Sequence, residues 1–86
     1  PVLALNGSLD VQVPPKENLT EIEKALKEGG NTDVTIREMP GLNHLFQTAI
    51  TGGPSEYAEI QETFAPAALA LITEWITSRT AAGAPK

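Results

Sequence analysis

The chain contains no cysteine, which excludes disulfides, zinc–thiolate sites and thiol nucleophiles. Aromatic residues are scarce, with two Phe, one Tyr and one Trp among 86 residues, and there is a single histidine. Any site that needs an imidazole therefore depends on His44. The lack of cysteine is compatible with every cellular compartment, because proteins without disulfides occur in all of them.

Basic residues are also few. Six Lys and Arg stand against eleven Asp and Glu, which gives a formal net charge of −5. Proteins that bind DNA or RNA draw much of their affinity from contacts of Lys and Arg with phosphates, so we expect no nucleic-acid partner. No apolar run approaches the ~20 residues that a membrane-spanning helix needs. A hydrophobic fraction of 41% instead predicts one small folded domain with a modest core.

The first half of the chain predicts the order β-α-β. Residues 2–5 form a continuous apolar run, which is typical of a strand covered on both faces. A helix is predicted over about Pro15–Glu28, because two prolines stand at its start and two glycines follow its end. Residues 33–38 alternate in polarity and predict an edge strand, with Thr35 and Arg37 pointing away from the core.

The second half predicts a loop and then a C-terminal helix that begins at Pro66. Phe64 and Trp75 are interpreted as anchors that pack this helix onto the sheet. The acidic residues before it are interpreted as a solvated face: Glu56, Glu59 and Glu62. Residues 1–79 are expected to form one unit, and residues 80–86, rich in Ala with Gly and Pro, a flexible tail.

Two residues with catalytic chemistry follow the two predicted strands. Asp10 comes just after the first strand and His44 just after the second. Because parallel strands end at the same edge of a sheet, we expect these side chains to meet there. A carboxylate that orients an imidazole is the acid–base part of a catalytic triad. The alternatives are a turn aspartate that binds its own backbone and a loop histidine with a local partner. A metal site would need more ligands than the nearby sequence offers, so no metal is predicted.

Four segments carry a resemblance to a known family: residues 1–15 (PVLALNGSLDVQVPP), 18–30 (NLTEIEKALKEGG), 40–49 (PGLNHLFQTA) and 56–76 (EYAEIQETFAPAALALITEWI). Together they resemble the C-terminal part of an α/β hydrolase, close to dienelactone hydrolases and serine aminopeptidases. The resemblance covers roughly residues 1–77. It implies that Asp10 is the triad acid and His44 the triad base, in the chain order of that family.

One part of the family pattern is missing. The family carries its nucleophile in a G-x-S-x-G turn, and none of the three serines, Ser8, Ser55 and Ser78, stands in such a motif. The resemblance therefore implies a piece of a longer serine hydrolase that acts on a small ester or amide, with the 86-residue chain inactive alone. The rival hypothesis is an inert structural fragment. In either case we expect an exposed strand edge to pair with the missing N-terminal part or with a second copy.

Overall fold

The computed structural model describes residues 1–80, and its elements follow one another in the predicted order. Strand β1 (Val2–Gly7) leads into helix α1 (Pro15–Glu28), which is followed by strand β2 (Val34–Met39). After a long loop, a short 3₁₀ helix (Pro54–Glu59) precedes helix α2 (Pro66–Thr80). The β-α-β order and the bounds of α1 confirm the prediction of a small α/β unit.

The two strands form a parallel sheet. Val2 pairs with Val34 at one end of the register and Gly7 with Met39 at the other. Strand β1 is longer than its apolar run, because Asn6 and Gly7 continue the pairing that the sequence assigned to a loop. The loops that follow the two strands therefore leave the sheet at the same level of the same edge.

Helix α1 packs on the sheet and is followed by two glycines, Gly29 and Gly30, that end it. Leu19 is its buried side chain. Gly30 adopts a left-handed φ of 82° and donates its N–H to the carbonyl of Lys27, while the N–H of Asn31 bonds to the carbonyl of Leu26. This pair of bonds closes the last turn of the helix and turns the chain back toward β2.

Helix α2 covers the other face of the sheet. Ala65, directly before the helix, and Ala68, in its first turn, are both buried and pack in one cluster with Met39. Further along, the indole Nε1–H of Trp75 donates to the Thr35 hydroxyl over 3.1 Å. Trp75 thus contacts the sheet as predicted, but the prediction that Thr35 points away from packed structure was wrong. The helix covers that face, and Thr35 is half-buried.

The apolar stripe of α2 is wider than the surface that the two strands offer. Leu69 and Ile76 remain 51% and 48% exposed. Strand β1 has β2 on one side and, within residues 1–80, no strand on the other. An open strand edge therefore lies beside an uncovered part of a helix.

Helix α2 continues through Thr80, which is the first residue of the predicted tail. The rest of the predicted tail, residues 81–86, lies outside the described residues. Over residues 1–80, none of the helices combines the length and the apolar character needed to cross a membrane.

Candidate active site

Asp10 closes the turn that follows β1, and its carboxylate organises that turn. Its Oδ1 accepts the backbone N–H groups of Gln12 at 2.9 Å and Val13 at 2.8 Å. Its own N–H donates to the carbonyl of Gly7. The simpler interpretation, a turn aspartate bonded to its own backbone, is therefore correct for this oxygen. It leaves the second oxygen, Oδ2, free for other partners.

His44 supplies one of those partners. Its Nδ1 lies 3.0 Å from Oδ2 of Asp10, across 34 positions of sequence. The Asp10 side chain is 5% exposed and the His44 side chain 35% exposed. Within residues 1–80 the ring makes no other hydrogen bond, so Nε2 is available to a reacting group. The arrangement suits a base whose tautomer is set by a buried carboxylate.

The turn that carries His44 is built around Asn43, which is fully buried. The Asn43 side-chain oxygen accepts the N–H groups of Leu45 and Gln47, and its amide nitrogen donates to the Gln47 side chain. A second backbone bond joins the Asn43 N–H to the Gln47 carbonyl. His44 therefore stands on a tightly bonded turn, which restricts where its ring can lie.

Phe46, two residues after the histidine, anchors the same turn to the segment directly before α2. It has a left-handed φ of 59°, which is uncommon for an aromatic residue. Its ring stacks on Phe64 with centroids 5.5 Å apart, and its carbonyl accepts the N–H of Ala65 at 2.7 Å. These contacts explain how the turn holds a backbone conformation that costs on the order of 1 kcal/mol or more.

The acid turn and the histidine loop are also bonded directly to each other. The Ser8 N–H donates to the Met39 carbonyl, and the Ser8 hydroxyl accepts the N–H of Gly41. A side chain at Gly7 would collide with the carbonyl oxygen of Leu42, so only glycine permits this approach. The meeting of Asp10 and His44 is thus set by the backbone around them.

Opposing influences act on the pKa of Asp10. Burial of the carboxyl raises its pKa. Hydrogen bonds from the Val13 N–H, from His44 and from the Gln12 N–H lower it, as does the charge of a protonated His44. The net result is a pKa below the ordinary value. The carboxylate therefore remains ionised at neutral pH and can stabilise a positive charge on the ring.

One contributor was absent from the predicted site. Asn6, at the end of β1, is 3% exposed and places its Nδ2 3.2 Å from Oδ2 of Asp10. In the sequence it looks like the first residue of a loop, because Gly and Ser follow it. The one sequence signal that could have identified Asn6 as a buried residue is its position directly after the apolar run of β1.

The interpretation of the acidic residues as a solvated face leaves out the backbone hydrogen bonds of two of them. Glu56 is half-buried, and its carboxylate accepts the backbone N–H groups of Ile50, Thr51 and Gly52. Glu62 accepts the N–H of Thr48 at 2.6 Å. Both carboxylates therefore shape the loop that follows His44.

The serines are not partners of the histidine. The Ser8 hydroxyl accepts the Gly41 N–H, Ser78 donates to the carbonyl of Trp75, and Ser55 lies in the 3₁₀ helix. Over the described part of the chain, no group of three or more His, Asp or Glu side chains is arranged to hold a metal ion. The site thus consists of an acid and a base.

Comparison of the chain with protein-family models, with curated proteins and with solved structures finds no match. The class of fold that the structure itself defines is a small α/β unit with a parallel strand pair, and its site is a carboxylate–imidazole pair.

Proposed function

We propose that this chain supplies the orienting acid and the general base of a serine hydrolase of the α/β-hydrolase family. The observation that supports the proposal is the bond between His44 Nδ1 and Asp10 Oδ2, with the carboxylate buried and the far side of the ring open. This asymmetry of burial suits a hydrolase, because the acid must hold the ring and the ring must reach a substrate.

In the proposed reaction, Nε2 of His44 removes the proton from a nucleophilic hydroxyl as that oxygen attacks an ester or amide carbonyl. The imidazolium so formed is stabilised by Asp10, which stays ionised. The ring then returns the proton to the leaving alcohol or amine, and an acyl-enzyme remains. Water, deprotonated by the same nitrogen, releases the acid product. No cofactor takes part in these steps.

The nucleophile and the oxyanion hole are proposed to come from another segment. The 86 residues contain no G-x-S-x-G motif, and no described serine bonds to His44. The free edge of β1 runs toward the rim where Asp10 and His44 meet. A parallel strand added there would end at that rim, which is where a nucleophile has to stand.

The test is hydrolysis of p-nitrophenyl butyrate by two polypeptides. One is the 86-residue chain, and the other is a longer polypeptide that also contains the residues encoded upstream of it. We expect turnover from the longer polypeptide and none above background from the shorter. In the longer one, His44→Gln and Asp10→Asn should each lower kcat by about 10³-fold or more, while Glu59→Gln on the 3₁₀ helix should leave it unchanged. Turnover that survives His44→Gln, or no turnover by the longer polypeptide, would contradict the proposal.

A second candidate function has its own observation. The edge of β1 that is unpaired over residues 1–80 and the exposed part of α2 favour a structural fragment that associates with a second copy of itself. A two-stranded sheet is marginal alone, so association would stabilise it.

A further inference from the structure

The oxygen of Asp10 that faces His44 has a second donor. Oδ2 lies 3.0 Å from the ring nitrogen Nδ1 and 3.2 Å from the amide nitrogen Nδ2 of Asn6. The other oxygen, Oδ1, is bonded to backbone N–H groups of the acid turn. Asn6 is therefore the one side chain besides the histidine that holds Oδ2, among residues 1–80.

The Asn6 amide is itself held at both ends. Its Nδ2 also donates to the carbonyl of Val13 at 3.2 Å, and its Oδ1 accepts the amide N–H of Asn18 at 2.6 Å. Since two acceptors face the nitrogen and one donor faces the oxygen, the amide has one favourable orientation. A chain of hydrogen bonds thus runs from α1 through Asn6 to the carboxylate.

We propose that Asn6 is a positioning residue, anchored by Asn18, that holds Oδ2 of Asp10 in line with Nδ1 of His44. Asn6 acts through the carboxylate and touches neither the ring nor a substrate. The effect of Asn6 on catalysis rests on the proposed function. Its effect on the hydrogen bond between Asp10 and His44 can be measured in the 86-residue chain by itself.

The physical reason lies in how few restraints act on Oδ2. The backbone bonds fix Oδ1, but the carboxylate plane can still tilt about that oxygen. The ring of His44 is partly exposed, so it can adopt other orientations if its acceptor moves. A second donor on Oδ2 removes that freedom. It also satisfies a buried charge that would otherwise depend on one partner, and an unsatisfied buried acceptor is costly.

The test uses the one histidine of the 86-residue chain. Long-range ¹H–¹⁵N spectra at pH 8 report which ring nitrogen carries the proton, and no second imidazole overlaps the signals. Wild type should hold the proton on Nδ1, and Asp10→Asn should remove that preference. Asn6→Leu, similar in size and without a donor, should reduce the Nδ1–H fraction about twofold or more, and Asn18→Ala should reduce it by a smaller amount.

Leu19→Ala is the matched control. Leu19 is buried on the same helix as Asn18, so its truncation lowers the unfolding temperature without touching the hydrogen-bond chain. It should leave the Nδ1–H fraction at the wild-type value. A merely structural role for Asn6 would give the same result as this control.

The outcomes separate this inference from the proposed function. If Asp10→Asn shifts the proton and Asn6→Leu does not, the positioning role is wrong and the proposed function stands. If Asn6→Leu shifts it but the longer polypeptide hydrolyses no ester, the positioning role stands alone. Should Asn6→Leu fail to fold, Asn18→Ala decides, since alanine suits a helix. An unchanged fraction in that variant overturns the inference.

Discussion

At the scale of single residues, Asp10 combines two roles that the sequence presents as alternatives, a turn residue and the partner of a histidine. One oxygen closes its own turn and the other meets the histidine. The turn bonds fix the position of Oδ1, and they lower the pKa of the carboxyl. A residue that stabilises the fold locally is thereby also prepared to orient a base.

The lowered pKa of Asp10 predicts how stability depends on pH. A carboxyl whose folded pKa lies below its unfolded value near 3.9 stabilises the fold above that pH, and the contribution is lost as the pH falls through the folded pKa. Asp10→Asn should therefore lower the free energy of unfolding at pH 7 by about 1–3 kcal/mol. The deficit should shrink as the pH falls from about 4 through the folded pKa, because the wild-type carboxyl then also becomes neutral. Urea unfolding at pH 7 and pH 3 measures it, and a deficit that is equal at both would contradict the assignment.

At the scale of elements, the loop between β2 and α2 is ordered by contacts with its neighbours. Glu56 holds three successive backbone N–H groups of it, and Asn43 holds two more. At its far end, Gly52 packs against the backbone of Leu9 in the acid turn. The loop that carries His44 therefore also contacts the acid turn, at Leu9.

Two glycines with the same backbone conformation test this packing. Gly52 and Gly30 have φ of 80° and 82°. A Cβ at Gly52 would collide with the carbonyl oxygen of Leu9, whereas a Cβ at Gly30 would meet nothing within 4 Å. Gly30→Ala should cost about 1–2 kcal/mol for the left-handed conformation alone. Gly52→Ala should cost clearly more, because the loop must also move away. Urea unfolding of both variants gives the comparison, and equal costs would mean that the approach of Gly52 to the acid turn is not tight.

At the scale of the whole molecule, the uncovered surfaces lie together. A groove of about 550 Å³ runs between Leu3 and Leu5 of β1 and Ile72 and Ile76 of α2. The strand that lines it, β1, has within residues 1–80 no strand on its second edge. Such an edge favours the addition of a strand, whether from the rest of a hydrolase or from a second copy.

Association through this surface predicts a concentration-dependent mass. Light scattering after size exclusion should give a mass above that of one chain, 9.1 kDa. Ile76→Lys should shift the protein toward the monomer, because a charge in the groove opposes its burial. Ile50→Lys is the matched control, since Ile50 is 88% exposed and does not line the groove. A well-folded wild-type monomer at all concentrations would contradict the prediction.

The sequence by itself determined the β-α-β order, the bounds of α1 and the pair of residues at the sheet edge. These depend on local signals, namely apolar runs, prolines and glycines at helix ends, and on the rule that parallel strands end at one edge. The resemblance to α/β hydrolases was likewise stated from sequence, and it stays a prediction.

Only the tertiary structure decided the roles of Asn6, Thr35 and the two glutamates. Each is a polar residue whose partner stands elsewhere in the fold: Asn18 on the helix, Trp75 on α2, or backbone N–H groups of the loop. A polar side chain in a sequence is compatible with water or with a buried partner. Which of the two it has is settled when packing brings a complementary group within about 3 Å.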